Sequence, residues 1–181
     1  MEILWIAIPI VVVLLAAVWW IAASNGFKRR AVKIDEALSG IEIALTKRYD
    51  MLTKLLDVAK GFAAHEKELF RQVISLRRGM PVGELNEASG QLDALETRIF
   101  AVAEAYPELR SAEVFRELQA GVRDAEEHLQ AARRLYNSGA SAFNTAAEVF
   151  PSSLVAKALR LEKREFFAAE ESKRSDVEMK F

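Results

Sequence analysis

The sequence predicts an all-α protein, with a single N-terminal transmembrane helix followed by an elongated antiparallel bundle of about four helices. Three observations predict it. Residues 3–23 read ILWIAIPIVVVLLAAVWWIAA, an unbroken apolar run. Downstream, apolar residues recur at alternating steps of four and three, the spacing of one helix face. Helix breakers are scarce, with 4 Pro and 8 Gly in 181 residues, and Pro81, Pro107 and Pro151 fall where apolar seams end. The implied division is an anchor at 1–26, a helical domain at 27–171 and a tail at 172–181.

The anchor comes first. At about 1.5 Å per residue its 21 positions span roughly 31 Å, close to the roughly 30 Å of a bilayer's hydrocarbon core. Twelve of the 21 are Ile, Leu or Val, each favouring insertion by roughly 0.3 to 0.6 kcal/mol. Pro9 lies near the outer end, where a lost backbone hydrogen bond is tolerated best. Trp5 marks one boundary and Trp19 with Trp20 the other, as in an aromatic belt. Ala22, Ala23 and Ser24 also resemble a signal-peptide cleavage site. Against that reading, Glu2 replaces the positive leader of a signal, and the apolar run exceeds the roughly 7 to 15 residues of one. Lys28, Arg29, Arg30 and Lys33 follow the span and no Lys or Arg precedes it, so the amino terminus is expected outside and the domain in the cytoplasm.

Residues 28–181 carry 25 positive and 25 negative charges, because Glu2 is the one acidic residue ahead of them. A neutral domain lacks the electrostatic footprint of a nucleic-acid binder. The absence of cysteine removes disulfides, thiolate metal sites and a cysteine nucleophile. No cofactor is expected.

The first seam runs Phe27, Ala31, Ile34, Leu38, Ile41, Leu45, Leu52, Leu55, Ala59, Phe62, Leu69, Val73 and Leu76. It predicts one long helix, continuous with the anchor and ending at the turn RGMPVG, 78–83. Gly40 and Gly61 inside it lower helix propensity and permit bending or close packing. A second seam, Leu85, Ala88, Leu92, Leu95, Ile99, Val102 and Tyr106, stops at Pro107, which biases Tyr106 away from helix. Ser111 is placed to cap a third helix with the seam Phe115, Leu118, Val122, Ala125, Leu129, Ala132, Tyr136, Phe143 and Phe150, closed by Pro151. Ser152 or Ser153 then caps a fourth, through Leu154, Ala158, Leu161, Phe166 and Phe167. Short connections imply antiparallel neighbours.

Few residues suggest chemistry. His65 and Glu66 begin a helical zinc motif, but Leu69 stands where the second histidine belongs, and His128 lies on another helix; no metal site is expected. Arg48 and Glu66 occupy seam positions, where a buried charge needs a partner on a facing helix or an opening to water. Roughly 27 Å apart along a straight helix, they cannot pair with each other. A polar contact that sets register is the simpler role for each. Asp50 and Lys54 have the spacing of an ordinary surface pair. Lys157, Arg160, Lys163 and Arg164 among apolar residues resemble a membrane-surface helix, although Glu162, Glu165, Glu170 and Glu171 point instead to a lid on the bundle. Phosphate loops, serine elbows and di-metal Glu-x-x-His pairs do not occur.

The stretch RYDMLTKLLDVAKGFAAHE, 48–66, resembles the signature of the LemA family of bacterial membrane proteins. AEAYPELR at 103–110, RRLYN at 133–137 and FNTAAEVFPSSLVA at 143–156 resemble further family segments in the same order. Candidate interaction or register positions within these segments are Arg48, Tyr49, Asp50, Gly61, His65, Glu66, Tyr106, Pro107, Tyr136, Asn137, Asn144, Phe150 and Pro151. The family usually reads Arg-x-Asp-Leu-Ile-Pro-Asn where this chain has Thr53 and Lys54 in place of the Pro-Asn pair, so the helix here is expected to be straighter. The resemblance implies a cytoplasmic helical domain on a single span in the bacterial inner membrane, and an association with HtpX-type membrane metalloproteases. It implies no reaction.

The function expected is a non-enzymatic adaptor or scaffold held at the bilayer, with itself or another membrane protein as partner and no nucleic acid. The alternative is a self-assembling protein that shapes or organises membrane, suggested by the unequal seam lengths. An enzyme would need a cleft of titratable groups that the sequence does not reveal.

Overall fold

The structure is a computed structural model that describes residues 2–62, 76 and 79–167, with side chains from Ala7 onward. The described residues form helices α1 (Glu2–Phe62), α2 (Val82–Ala105), α3 (Pro107–Ser111), α4 (Glu113–Glu148) and α5 (Ser152–Ala158), and no strand. The all-α expectation holds, and α1 carries the apolar run into the seam without a break. The helix also continues through Thr53 and Lys54. The chain divides into two compact units, Met1–Glu36 with Leu135–Glu165 and Ala37–Arg134 with Phe166–Phe181.

In the first unit α1 and α4 run antiparallel. The rings of Phe27 and Phe143 meet edge to face at 5.5 Å, the quadrupole-favoured arrangement. Further along α1, Ile34 lies against Gly139, where a Cβ would come within 3.1 Å of its Cγ1; a glycine lets the two backbones approach. Toward its amino end α1 is bare, with the large apolar side chains from Ile8 to Ile21 exposed, Val13 by 67% and Val18 by 65%.

The end of this unit departs from the sequence reading. The fourth helix is the seven residues of α5 and does not reach Phe166 and Phe167. Leu161 N–H donates to Ala156 O (3.0 Å) and Arg160 N–H to Lys157 O (3.1 Å), with Arg160 at φ 51°, a Schellman stop built without glycine. Apolar residues beyond such a stop still fit a helical period, which is why the seam overran it. Neither serine makes an N-terminal side-chain cap on α5. Ser152 Oγ instead turns back to Ala146 O near the end of α4 (2.7 Å) and to Val149 O (2.9 Å), which also accepts from Ser153 N–H. Phe150, read as the last seam residue, is 76% exposed because α4 ends two residues earlier.

In the second unit α4 is the common neighbour. Gly121 admits Met51, whose Sδ would lie 3.1 Å from a Cβ there, and Gly40 faces Ala132, so α1 and α4 are again antiparallel. Arg133 meets Ser89 and Phe115 meets Phe100 (centroids 6.5 Å), so α2 is also antiparallel to α4. It follows that α1 and α2 are parallel, contrary to the antiparallel neighbours expected from a short turn at 78–83. Gly79 N–H donates to Glu42 Oε1 at 2.9 Å, whereas an unbroken helix would set these residues about 55 Å apart. The reading of one helix through to Leu76 is thereby corrected. Leu76 is not helical, and the seam positions Leu69 and Val73 lie outside the described residues.

Tyr106 ends α2 at φ −124° and ψ 86°, extended as the residue before proline should be, and Pro107 starts α3. Ser111 is inside α3 with Oγ donating to Glu108 O (3.0 Å), so it does not cap the next helix; the carbonyl of Ala112 receives the first bond of α4. The core is built largely from the predicted seams, with Ile41, Leu45, Leu52 and Leu55 of α1, Leu92 and Ile99 of α2, and Val122 and Leu129 of α4 each 0% exposed, whereas seam residue Phe62 is 45% exposed. Each such side chain contributes about 1.5 to 3 kcal/mol of burial.

Candidate functional site

Arg48 stands on the buried face of α1 between Leu45 and Leu52 and is 3% exposed. Seam geometry forces its guanidinium inward, and three carboxylates receive it. Asp93 and Glu96, one turn apart on α2, both pair with Nη2. Glu126 of α4 lies 2.9 Å from Nη1 through Oε2, while its Oε1 accepts from Gln130 Nε2 at 2.6 Å. One cation thus ties three helices together. Arg133 of α4 is also buried, donates from Nη2 to Ser89 Oγ of α2 and lies over the Phe167 ring at 4.8 Å. Burial pulls its pKa below the ordinary guanidinium value; Glu126 opposes that shift and Arg48 adds to it. At the rim Lys47 pairs with Asp124, whose carboxyl is held below the ordinary range chiefly by that hydrogen bond.

A guanidinium is neither acid nor base near neutral pH, so the cluster is suited to fixing helix register rather than to moving protons. Among the described residues no group of three or more His, Asp or Glu is placed to hold a metal ion.

A second cluster lies in the first unit, on α4. Asn144 holds the backbone of Arg164 with both ends of its amide: Nδ2 donates to Arg164 O (2.9 Å) and Oδ1 accepts from Arg164 N–H (2.8 Å). Tyr136, two turns earlier on the same face, donates from Oη to Glu165 O (3.0 Å). Burial is the main cause of the upward shift in the Tyr136 pKa. Arg164 lies over the Phe143 ring at 5.5 Å. These side chains clamp the non-helical strap after α5 along α4.

The predicted positions sort accordingly. Arg48 finds the facing partners its seam position required. Tyr136 and Asn144 form the clamp. Tyr49 is half-buried beside Arg48, and Asn137 half-buried beside Tyr136. Asp50 is exposed on the wall of a groove of about 680 Å³ that also includes Glu42, Ile43 and Leu85; the Asp50–Lys54 pair is not formed among the described residues. Gly61 is exposed near the end of α1, Tyr106 and Pro107 form the α2–α3 break, and Phe150 and Pro151 the exposed α4–α5 turn. Pro9 lies inside α1, Trp19 and Trp20 are exposed on it, and Lys28, Arg29 and Arg30 follow as exposed cations. Trp5 falls in α1. His65 and Glu66 lie outside the described residues. His128 is exposed with Nδ1 2.8 Å from Asp124 O.

Sequence reasoning missed Asp93, Glu96, Glu126, Arg133 and Ser89. Acids flanking a seam look like solvated surface. Arg133 did leave a signal, because the step from Leu129 to Arg133 to Tyr136 fits the alternating spacing as well as the step through Ala132.

The chain is 25% identical to Protein LemA of Metamycoplasma hominis over 164 residues, covering 88% of this chain and 75% of that relative. The family match runs over residues 37–181, which takes in the Arg48 cluster and the clamp. With helices as the secondary structure of its described residues, an apolar amino-terminal helix and a match over that range, the chain belongs to the LemA family.

Proposed function

We propose that this protein is a non-enzymatic adaptor or scaffold on the cytoplasmic face of the bacterial inner membrane, anchored by the apolar part of α1. The observation that carries this reading is continuity: one helix, Glu2–Phe62, bears a bare apolar segment and then the bundle seam. Side chains such as Val13 and Leu15, exposed by 67% and 64%, are stable in hydrocarbon and unfavourable in water. The cations at 28–30 favour a cytoplasmic domain. Confinement to the bilayer raises the effective concentration of the bundle for other membrane proteins, which is how an adaptor gains avidity without strong contacts. A membrane metalloprotease of the HtpX type is the partner the family resemblance suggests. Cross-linking in cells, followed by purification of the full chain in mild detergent and mass spectrometry, tests the proposal. Recovery of a defined membrane protein is the expected result. Recovery of the bait alone in a discrete large species would favour the self-assembling alternative.

A further inference from the structure

The antiparallel pairing of α1 and α4 fixes the depth at which the α4–α5 turn lies. Phe143 sits opposite Phe27, and α4 continues five residues to Glu148, about 7.5 Å further toward the amino end of α1. That brings the end of α4 level with the neighbourhood of Ala22, one turn from Trp19 and Trp20. The turn is apolar where it is most exposed: Val149 by 54%, Phe150 by 76%, Leu154 by 51% and Leu159 by 44%. Val155 and Ala156 are buried and fix α5 to the unit, so Leu154 and Lys157, on the opposite side of α5, are held outward. Lys157 and Arg160 are exposed cations within the turn, Lys163 pairs with Glu148 at the end of α4, and Arg29 and Arg30 are exposed on α1 just beyond Phe27.

From this geometry we infer that the α4–α5 turn is a second membrane contact: Phe150 and Leu154 enter the interfacial layer of the bilayer that α1 crosses, and the neighbouring cations bind anionic lipid headgroups. An apolar tip among cations is the composition of an interfacial anchor, and the register with Trp19 and Trp20 places it at headgroup depth. The inference rests on the reading of α1 as a membrane anchor. It makes the turn a bilayer contact rather than a lid on the bundle.

The chain lacks cysteine, so single-cysteine variants can carry an environment-sensitive fluorophore. Val13→Cys, Leu154→Cys and Glu117→Cys are made in the full chain and reconstituted into phosphatidylcholine vesicles with and without phosphatidylglycerol. Nitroxide-labelled lipids then report depth. The expected result is quenching of the Val13 probe by a deep label, and of the Leu154 probe by a shallow label about twofold or more above the exposed Glu117 reference. Phosphatidylglycerol should strengthen the Leu154 signal, and Phe150→Ser in the same background should weaken it. A quenched Val13 probe beside an unquenched Leu154 probe, even one whose emission shows burial against protein, overturns the inference and leaves the anchor standing. Loss of quenching at both positions overturns the anchor and the inference together. A Leu154 signal indifferent to Phe150→Ser shows that the fluorophore itself drives the contact and overturns the inference.

Discussion

Arg48 shows what one misplaced charge does to a helical seam. Its guanidinium is desolvated, and only the three carboxylates of Asp93, Glu96 and Glu126 make that tolerable. Arg48→Met leaves those carboxylates facing a buried apolar group, and the expected loss is about 3 to 5 kcal/mol in urea titrations of the full chain in detergent. Adding Asp93→Asn, Glu96→Gln and Glu126→Gln to Arg48→Met should recover part of it; no recovery would show that the loss is packing alone. Arg160 carries a different strain, since φ 51° is a left-handed conformation that costs a residue with a Cβ about 1 kcal/mol. Arg160→Gly should therefore hold or raise the unfolding midpoint, whereas Arg160→Val should lower it. Tyr136 introduces a pH term. Its phenol is favoured neutral in the fold, so its contribution is complete below its unfolded pKa of about 10 and is lost as pH rises through the higher folded value. Tyr136→Phe should start about 1 kcal/mol less stable through the lost bond to Glu165 O, and then lose less stability on moving to high pH.

At the scale of elements, the strap shows how a segment without helix or strand can still be ordered. Both backbone groups of Arg164 are satisfied by the single side chain of Asn144, as a neighbouring strand would satisfy them. Asn144→Ala removes both bonds, and hydrogen exchange should report loss of protection at Arg164, with α1 and α4 unchanged. The seams made α1, α2 and α4 legible from the sequence, because apolar spacing reports directly which face is buried. Pro107 likewise located the end of α2. Direction was not legible: a seam has no polarity, so the parallel course of α1 and α2 had to come from the antiparallel pairing of each with α4. The extent of α5 was hidden for a related reason, since Phe166 and Phe167 continue a helical period that the left-handed Arg160 has already ended. The need for a partner at Arg48 was legible, but the partner's identity was not. Glu96 and Glu126 have the sequence context of ordinary surface acids.

For the whole molecule, the proposed function rests on α1 serving two solvents. Its first part carries apolar side chains on every side, as lipid requires; from Phe27 onward it carries one apolar face, as a bundle requires. In the proposed function the first part stays in the bilayer of the mature protein, with the bundle on the cytoplasmic side. The most direct measurement is the intact mass of the membrane-extracted chain from cells whose outer surface has been treated with protease. The expected species keeps the apolar segment and the whole helical domain, with loss confined to the residues before the apolar segment. A mature chain beginning near Asn25, or digestion of the helical domain from outside, would contradict it.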